Sequence, residues 1–406
     1  MNMHASSFSA AAPGRRVWVP AAVLAAAGMA AFLFGAAGEH PGRAWQAYLI
    51  NFLLWSSVAQ GAVLFAAVTR VTAARWSAPL EGLSGAFAGF FPLSLVLFIA
   101  LVFGGSHVFP WVAEDLHGKE SWLNVPFVLA RNGAGLLILY GVGFMFLRQA
   151  LRLRMGPEPA RSGLRRLLAG SGPGSPDEAE RIRGRMNRWA GLYCLLFALV
   201  LSLIGFDLVM STDPHWYSTL FGAYHFVKAF YLGLGGLIIL AAAVALRHGR
   251  HSGLEPRHFH DIGKLFFAFC LLWADFFYVQ LTVIWYGNIP EETHYVILRT
   301  MLPPWRPLAW TVFTIVFIIP FILLINKRIK TVPAAVMALC SLVIVGLWLE
   351  LLLLVGPPLN HGAAELPLDV SDAIVFLGFL GLMVMAVAAM LRTFPELLPT
   401  ARSPKD

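Results

Sequence analysis

The sequence predicts an all-α polytopic membrane protein with about ten transmembrane helices. Of its 406 residues, 58% are hydrophobic and 13% are charged, and the mean hydropathy is +0.70. Soluble domains carry about 25% charged residues, so this composition indicates a chain whose surface meets lipid. Apolar segments of about 20 residues, the length that crosses a ~30 Å hydrocarbon core, recur along the whole chain. The loops between them alternate in basic-residue density, as expected of the two sides of a membrane.

The apolar segments are separated by polar connections, and each is interpreted as one span. In order, the predicted spans are 17–37, 45–69, 84–104, 125–147, 190–210, 221–246, 262–285, 308–325, 332–354 and 372–391. The first lacks the layout of a cleavable signal peptide, so we expect it to remain as a span. We therefore interpret 1–406 as a single integral membrane domain.

The positive charge is distributed unequally between the two sides of the predicted membrane. Of the 30 Lys and Arg residues, 23 lie on the side of the N-terminus and four lie in loops of the other side. The positive-inside rule then predicts that both termini are cytoplasmic (N-in/C-in). We expect a multi-pass protein of the bacterial inner (cytoplasmic) membrane, in contact with membrane lipid and not with nucleic acid.

One predicted cytoplasmic loop, 148–189, is rich in Arg, Gly, Pro and Ser. Its second part, from Pro176 to Trp189, begins with acidic residues and continues with four arginines, which suits the dipole of a helix. We interpret this part as a surface helix drawn to anionic lipid. A docking site for a partner protein is the alternative.

The sequence has no recognisable metal site. Cys194, Cys270 and Cys340 stand singly in apolar segments, without the spacing of an iron–sulfur or haem-attachment motif. Of the twelve histidines, only His225 lies well within a predicted span, whereas a b-type haem in the bilayer needs two facing histidines. We therefore expect no metal and no cofactor held by this chain.

Ionisable residues inside or beside the spans are the candidate functional residues, and the segment 206–228 carries most of them. Such groups are costly in a bilayer and usually mark a route for protons, ions or a polar headgroup. The candidates for a proton path or a quinone headgroup are Asp207, Asp213, His215, His225 and Asp275. For Asp213, which precedes Pro214, the alternative is capping of the following helix.

Three further buried charges are interpreted as charge-compensating. Counting ~1.5 Å per residue from the span ends, Arg131, Lys228 and Glu350 lie in the membrane half away from the N-terminus, with Asp275 near the midplane. We predict that Lys228 pairs with Asp275 and that Arg131 pairs with Glu350, because unpaired charge in hydrocarbon is costly. The alternative is that each side chain reaches the interface singly.

Polar, aromatic and small residues accompany these charges. Ser56 and Gln60 on the second span are helix contacts or, together with the charges, part of a hydrated half-channel. Gly233, Gly235 and Gly236 predict a helix face that permits close approach. The aromatic candidates at the outer face, interpreted mainly as an interfacial belt, are Trp216, Tyr217 and Trp285.

Two long motifs resemble those of a known family. They are DLVMSTDPHWYSTLFG, from Asp207 to Gly222, and the run from His260 to Glu292 that contains HDIGKLFFAF and IWYGNIPEE. Both resemble the second of two quinone-binding-type membrane subunits of alternative complex III, which are related to the NrfD and polysulfide-reductase membrane subunits. The likeness covers predicted spans five to seven, and the ten-span layout extends it along the chain. Leu208 departs from the Trp that usually follows the first Asp.

The resemblance implies a fold in which eight of the ten helices form two four-helix bundles. It also implies a quinol:cytochrome c oxidoreductase complex whose partners are a second NrfD-like membrane subunit, a periplasmic iron–sulfur protein and multihaem cytochrome c subunits. Haem c and iron–sulfur clusters are then expected on those partners, and a quinone or quinol is the candidate ligand. The subunit resembled here is discussed as a proton pathway and holds no redox centre of its own.

Two other functions are compatible with the residues. A stand-alone proton- or ion-coupled secondary transporter would also carry charges within the membrane, although no internal repeat is evident in this sequence. A purely structural membrane anchor would account for the lack of cofactor motifs. A structural anchor does not explain why charged residues lie deep in the membrane.

Overall fold

Ten long helices account for most of the chain. A computed structural model describes residues 14–113, 115–116, 118–157, 163–360 and 364–399, and the regular secondary structure of these residues is entirely helical. The helices long and apolar enough to cross a membrane are α1 (Arg15–Ala36), α2 (Pro41–Val71), α3 (Ala78–Gly104), α4 (Val125–Arg154), α5 (Pro176–Thr212), α6 (Phe221–Ser252), α7 (Pro256–Gly287), α8 (Trp305–Ile325), α9 (Pro333–Leu359) and α10 (Val370–Thr393). The predicted all-α polytopic fold is confirmed.

Short helices lie in several connections. They are Gly105–Val108, Pro110–Ala113, Gly163–Leu168, Pro290–Thr300, Lys327–Thr331 and Pro395–Leu397. Because the spans alternate in direction, the connections fall at two ends of the molecule. The arginine-rich end contains the α2–α3, α4–α5, α6–α7 and α8–α9 connections, and the opposite end contains the others. The Pro290–Thr300 helix, between α7 and α8, belongs to the opposite end.

Several helices begin with the residues that favour a helix start. Pro41, Pro176, Pro256 and Pro333 open α2, α5, α7 and α9, where the missing N–H is not needed and φ is already helical. The Ser175 hydroxyl accepts a hydrogen bond from the Glu178 amide at 3.2 Å, which caps α5. These local signals explain why the helices extend beyond the apolar segments.

The predicted loop 148–189 is shorter in the structure, because helices enter it from both sides. α4 continues to Arg154, and α5 begins at Pro176 and runs without interruption into the membrane. The helix predicted from Pro176 to Trp189 is therefore continuous with the span that follows it. An ion pair of 2.8 Å between Arg152 and Glu178 joins the two helices at the arginine-rich end.

The helix α2 lies at the centre of the molecule. Its most apolar stretch is 94% buried, and its main neighbours are α6 and α3, followed by α5, α9 and α10. The helix α6 continues this central layer towards α9 and α7, α4 packs along α5, and α1 packs along α10. The least buried spans are α1 and α7, where 17% of the most apolar stretch is buried.

The crossing of α2 and α6 depends on glycine. A Cβ atom at Gly61 would collide with the Ala229 carbonyl, and one at Gly233 would collide with the backbone of Gly61 and Ala62. The close approach predicted for the glycines of the sixth span is thus present at Gly233. Gly235 differs, because the nearest atom to its Cβ would be 3.4 Å away, in ordinary contact.

Candidate functional site

The segment 206–228 begins with an irregular end of α5. The α-helix gives way to a π-helical turn at Gly205–Val209 and then a 3₁₀ turn at Met210–Thr212. π-helical turns occur frequently at functional sites, because the extra residue changes the direction of the side chains. Gly205 lets α6 pass closely, since a Cβ there would lie 2.7 Å from the Cβ of His225. The turn directs Asp207 towards α4 and sets the α5–α6 contact.

Asp207 forms a two-point ion pair with Arg131 of α4. The Arg131 Nε and Nη2 atoms donate to the two carboxylate oxygens, each at 2.7 Å, and the Asn132 side-chain amide donates to Oδ2 at 2.6 Å. The Arg131 guanidinium also lies 3.9 Å from the ring centre of Trp122. The Asp207 side chain is buried, and these contacts saturate it with charge-assisted hydrogen bonds. This geometry favours a structural role for Asp207 over a proton-carrying one.

The predicted pairing of Arg131 with Glu350 is wrong. That prediction rests on the similar depth of Arg131 and Glu350 in the membrane. An ion pair also requires that the two helices are neighbours. α4 packs along α5, not along α9. Arg131 is near the start of α4 and Asp207 is near the end of α5, and these two helix ends lie on the same side of the molecule. The guanidinium therefore meets the carboxylate that is its lateral neighbour.

Glu350 lies at the centre of a second buried cluster. Its Oε1 accepts a hydrogen bond from the Tyr224 hydroxyl and lies 3.5 Å from the Lys228 ammonium nitrogen. The three side chains come from α6 and α9 and are almost fully buried. The Oε2 atom of Glu350 is buried and has no hydrogen-bond partner among the described residues. We call Tyr224, Lys228 and Glu350, with the neighbouring His225, the Glu350 cluster.

The predicted pairing of Lys228 with Asp275 is also wrong, because the two side chains face different ways. Lys228 points between α6 and α9, where Glu350 receives it. Asp275 is exposed on α7 and lines a groove between α7 and α8. Similar depth in the membrane is therefore not enough for Lys228 and Asp275 to form an ion pair.

His225 is the most unusual member of the cluster. Its exposed fraction is 1%, and within the described part of the chain neither ring nitrogen has a hydrogen-bond partner. A buried polar group without a partner costs free energy, and such groups are rare in native proteins. His225 is one residue from Tyr224 and three from Lys228, so it extends the cluster towards α5 along one side of α6.

A small cavity adjoins the Glu350 cluster. Its volume is about 80 Å³, and Tyr224, Glu350, Trp273, Tyr295 and Arg299 contribute to its lining. Small-molecule sites usually measure about 300–1,000 Å³, so a quinone headgroup does not fit here. Apolar side chains make up most of the lining, with Tyr224, Glu350, Tyr295 and Arg299 among the polar groups on its wall, and the volume is large enough for a few water molecules.

Arg299 and aromatic rings close the cavity towards the opposite end. The Arg299 guanidinium lies 3.5 Å from the ring centre of Tyr295, and its Nη2 donates to the Leu354 carbonyl at 3.1 Å. The Tyr295 ring stacks on Trp216 at 3.6 Å. Burial raises the pKa of Tyr295 to about 12, so its phenol stays protonated at ordinary pH. We call Trp216, Tyr295 and Arg299 the outer stack.

Asp213 joins the outer stack through Arg299, with 3.5 Å between Oδ2 and Nη1. It does not cap α6, whose N-cap residue is Leu220, so the capping alternative for Asp213 is wrong. The sequence does not predict the involvement of Arg299 and Tyr295, because it shows them only in a connection between two spans. The one available signal is a basic residue at the end of the molecule where Lys and Arg are few.

The other sequence candidates lie at the surface. His215, Tyr217 and Trp285 are exposed, whereas Trp216 is buried in the outer stack. The exposed fractions of 64% for Tyr217 and 73% for Trp285 suit an interfacial belt. Among the residues that the structure describes, no group of three or more His, Cys, Asp or Glu side chains could hold a metal ion.

Polar residues of α2 form a separate buried network with α3 and α4. The Ser56 and Ser94 hydroxyls are 2.7 Å apart, Ser94 is 2.7 Å from the Tyr140 hydroxyl, and Gln60 donates to Tyr140 at 2.7 Å. The predicted contact role of Ser56 and Gln60 is therefore met by partners on neighbouring helices. Ser94 and Tyr140 were not identified from the sequence.

No protein-family model matches this chain, and the search of curated proteins finds no match either. The site must therefore be interpreted from its own chemistry. Its components are a saturated ion pair at Asp207, an incompletely bonded cluster at Glu350, and the outer stack between that cluster and the opposite end.

Proposed function

We propose that this chain is the proton-conducting membrane subunit of a quinol:cytochrome c oxidoreductase complex in the bacterial inner membrane. The resemblance of the Asp207–Gly222 and His260–Glu292 motifs supports the type of complex. On this proposal, iron–sulfur and haem c centres belong to partner subunits, and the end that carries the outer stack faces the periplasm. The chain contributes a path for protons and no redox centre.

The Glu350 cluster is the observation that carries the proton path. A carboxylate, an ammonium, a phenol and an imidazole are buried near one another. The carboxylate of Glu350 and the phenol of Tyr224 also line a cavity that is large enough for water. Glu350 Oε2 and both nitrogens of His225 lack partners among the described residues, so they are available to bind a proton or a water molecule. Ionisable groups buried in a membrane protein usually serve proton or ion movement.

The small size of the cavity favours proton movement over quinol binding at this cluster. A route would run from the Glu350 cluster through the cavity to Arg299 and Asp213 at the opposite end. Histidine and glutamate are among the side chains that most often transfer protons in proteins. Asp207 is excluded from this route in our proposal, because Arg131 and Asn132 occupy its oxygens.

The proposal is tested with Glu350→Gln in the purified native assembly, reconstituted into vesicles. Gln preserves the shape of the side chain and removes the titratable group. We expect unchanged subunit composition, with quinol:cytochrome c turnover and proton release each reduced by about a hundredfold or more, the scale of lost acid–base catalysis. The matched control is Glu178→Gln, which removes a carboxylate at the arginine-rich end and should behave as wild type.

Two outcomes would count against this function. Full turnover and full proton release in Glu350→Gln would remove Glu350 from the path. Purification of the wild-type chain without a haem c or iron–sulfur protein would remove the oxidoreductase assignment, and proton-coupled uptake by the isolated chain would then favour a secondary transporter.

A further inference from the structure

Asp275 places a carboxylate on a lipid-facing surface. It lies about 18 Å from the end of α7 at Gly287, at ~1.5 Å per residue, and it is exposed. Leu271 and Val279, one turn away on either side, are apolar and 40% and 38% exposed. No ion pair or hydrogen bond joins Asp275 to another residue in the described ranges. A carboxylate on this short side chain cannot reach the interface as Lys or Arg can, so it is costly here unless another molecule covers it.

The surroundings of Asp275 form a groove of about 1310 Å³ between α7 and α8. One wall is the α7 stripe of Ala268, Leu271, Asp275 and Tyr278, spaced three or four residues apart. The other is the α8 stripe of Arg306, Trp310, Phe313 and Phe317, with the same spacing, and Ala309 lies beside it. The groove exceeds the usual volume of a small-molecule pocket. Two parallel helical stripes with small alanines between larger side chains are the surface on which a third helix packs.

We propose that this groove seats a transmembrane helix of another polypeptide, which carries a Lys or Arg opposite Asp275. The charge of the site selects this occupant, because a basic side chain converts an isolated carboxylate into an ion pair. The helix α7 has a free surface for it, since only 17% of its most apolar stretch is buried against 94% in α2. Lipid chains would cover the apolar part of the groove and leave Asp275 unpaired.

Arg306 adds a second requirement for the partner helix. It is exposed in the same groove, one residue after α8 begins, and therefore lies near the membrane boundary. Asp275 lies deeper in the groove than Arg306, because Phe277, two residues after Asp275 on α7, is level with Phe313 of α8, with 6.3 Å between the ring centres. We infer an acidic or polar acceptor group on the partner, nearer the boundary than its basic residue. This inference rests on the proposal that the chain works within an assembly, but not on the proton path.

Cross-linking in the native membrane identifies the occupant. A photo-crosslinking phenylalanine analogue is introduced at Val279, one turn from Asp275, and separately at Leu137, which is 60% exposed on α4. The cross-linked peptides are then sequenced by mass spectrometry. We expect Val279 to capture a transmembrane segment of one other polypeptide with Lys or Arg within a turn of the cross-link. Leu137 should not capture that segment.

Charge variants test whether the ion pair holds the partner. In Asp275→Leu, the isolated chain should fold with unchanged or higher thermal stability, because a charge has left an apolar surface. Recovery of the cross-linked polypeptide with the chain should fall about tenfold, the effect of one such interaction. Asp275→Lys should lose the partner as well, and replacing the partner's basic residue with Asp should restore recovery.

The inference is overturned if Val279 captures only lipid, a quinone, a second copy of this chain, or a segment without a basic residue. Full recovery of the partner with Asp275→Leu would overturn it too. These failures differ from failure of the proposed function, which is judged by Glu350→Gln turnover and by the haem c and iron–sulfur proteins in the wild-type assembly.

Discussion

Arg131 and Asp207 form a two-point ion pair that joins α4 to α5 within the membrane. Both nitrogen–oxygen distances are 2.7 Å, and the two side chains are 10% and 1% exposed. The π-helical turn of α5 presents Asp207 to this pair. The same turn lies beside His225, because Gly205 packs against that side chain. The ion pair therefore holds in place the end of α5 that packs against His225 of the Glu350 cluster.

Asp207→Asn should destabilise the protein by about 3 kcal/mol, because removal of one partner leaves the other charge uncompensated. Thermal unfolding of the purified chain in detergent measures the loss. The control is Glu178→Gln, whose pair with Arg152 is also short but has a carboxylate that is 36% exposed. It should cost less than about 1 kcal/mol, as surface pairs do. Equal effects of the two variants would contradict the structural role of Asp207.

The spans could be predicted because the hydrophobic signal is local, whereas the ion pairs depend on which helices are neighbours. Counting residues from a span end gives an approximate depth, and it places Arg131, Lys228 and Glu350 in the same half of the membrane. It says nothing about the direction in which a side chain points around its helix. Asp275 matched Lys228 in approximate depth and faces away from it, while Glu350 on α9 faces it.

The contacts of residues in the connections between spans are also not predicted from the sequence. Arg299 lies on the Pro290–Thr300 helix, is buried, and donates a hydrogen bond to the Leu354 carbonyl of α9. Hydrophobic periodicity in the sequence does not predict such a contact. The start of α5 shows the reverse. The acidic residues after Pro176 predict the helix start, but the sequence does not show that this helix continues into the following span.

Lys228 and Glu350 should show coupled energetics. Lys228→Met and Glu350→Gln should each destabilise the chain, and the double variant should cost less than the sum, with a coupling free energy of about 1–3 kcal/mol. Denaturant or thermal unfolding of the four proteins gives this value. Lys228→Met combined with Asp275→Asn should be additive within about 0.5 kcal/mol. Coupling in this second pair would support the pairing that the structure contradicts.

His225→Leu should separate function from stability. Both ring nitrogens lack partners among the described residues, so an apolar side chain of similar size removes an unsatisfied polar group. The melting temperature should stay the same or rise. Turnover of the assembly should fall if His225 carries protons with Glu350. A drop of several degrees in the melting temperature would show that the imidazole has a structural partner.

Gly233→Ala should prevent normal packing of α2 against α6, because the new Cβ would meet the backbone of Gly61 and Ala62. We expect a loss of about 3 kcal/mol or more, or failure to fold, since overpacking at a backbone contact cannot be relieved by a rotamer change. Expression level and thermal unfolding measure this. Gly235→Ala is the matched control two residues away, and with 3.4 Å to its nearest neighbour it should fold normally.

Arg299→Ala should loosen the outer stack and open the cavity beside Glu350. The guanidinium contacts Asp213, the Tyr295 ring and the Leu354 carbonyl, so its removal weakens the attachment of the Pro290–Thr300 helix to α9 and to the α5–α6 connection and leaves the Trp216–Tyr295 stack in place. Amide hydrogen exchange in residues 290–300 should become faster, because local opening then breaks fewer contacts. The control is Arg43→Ala, which removes a looser pair with Asp372, 3.7 Å long, at the same end of the molecule. If exchange in 290–300 is unchanged by Arg299→Ala, or is accelerated equally by Arg43→Ala, Arg299 does not hold the cavity closed.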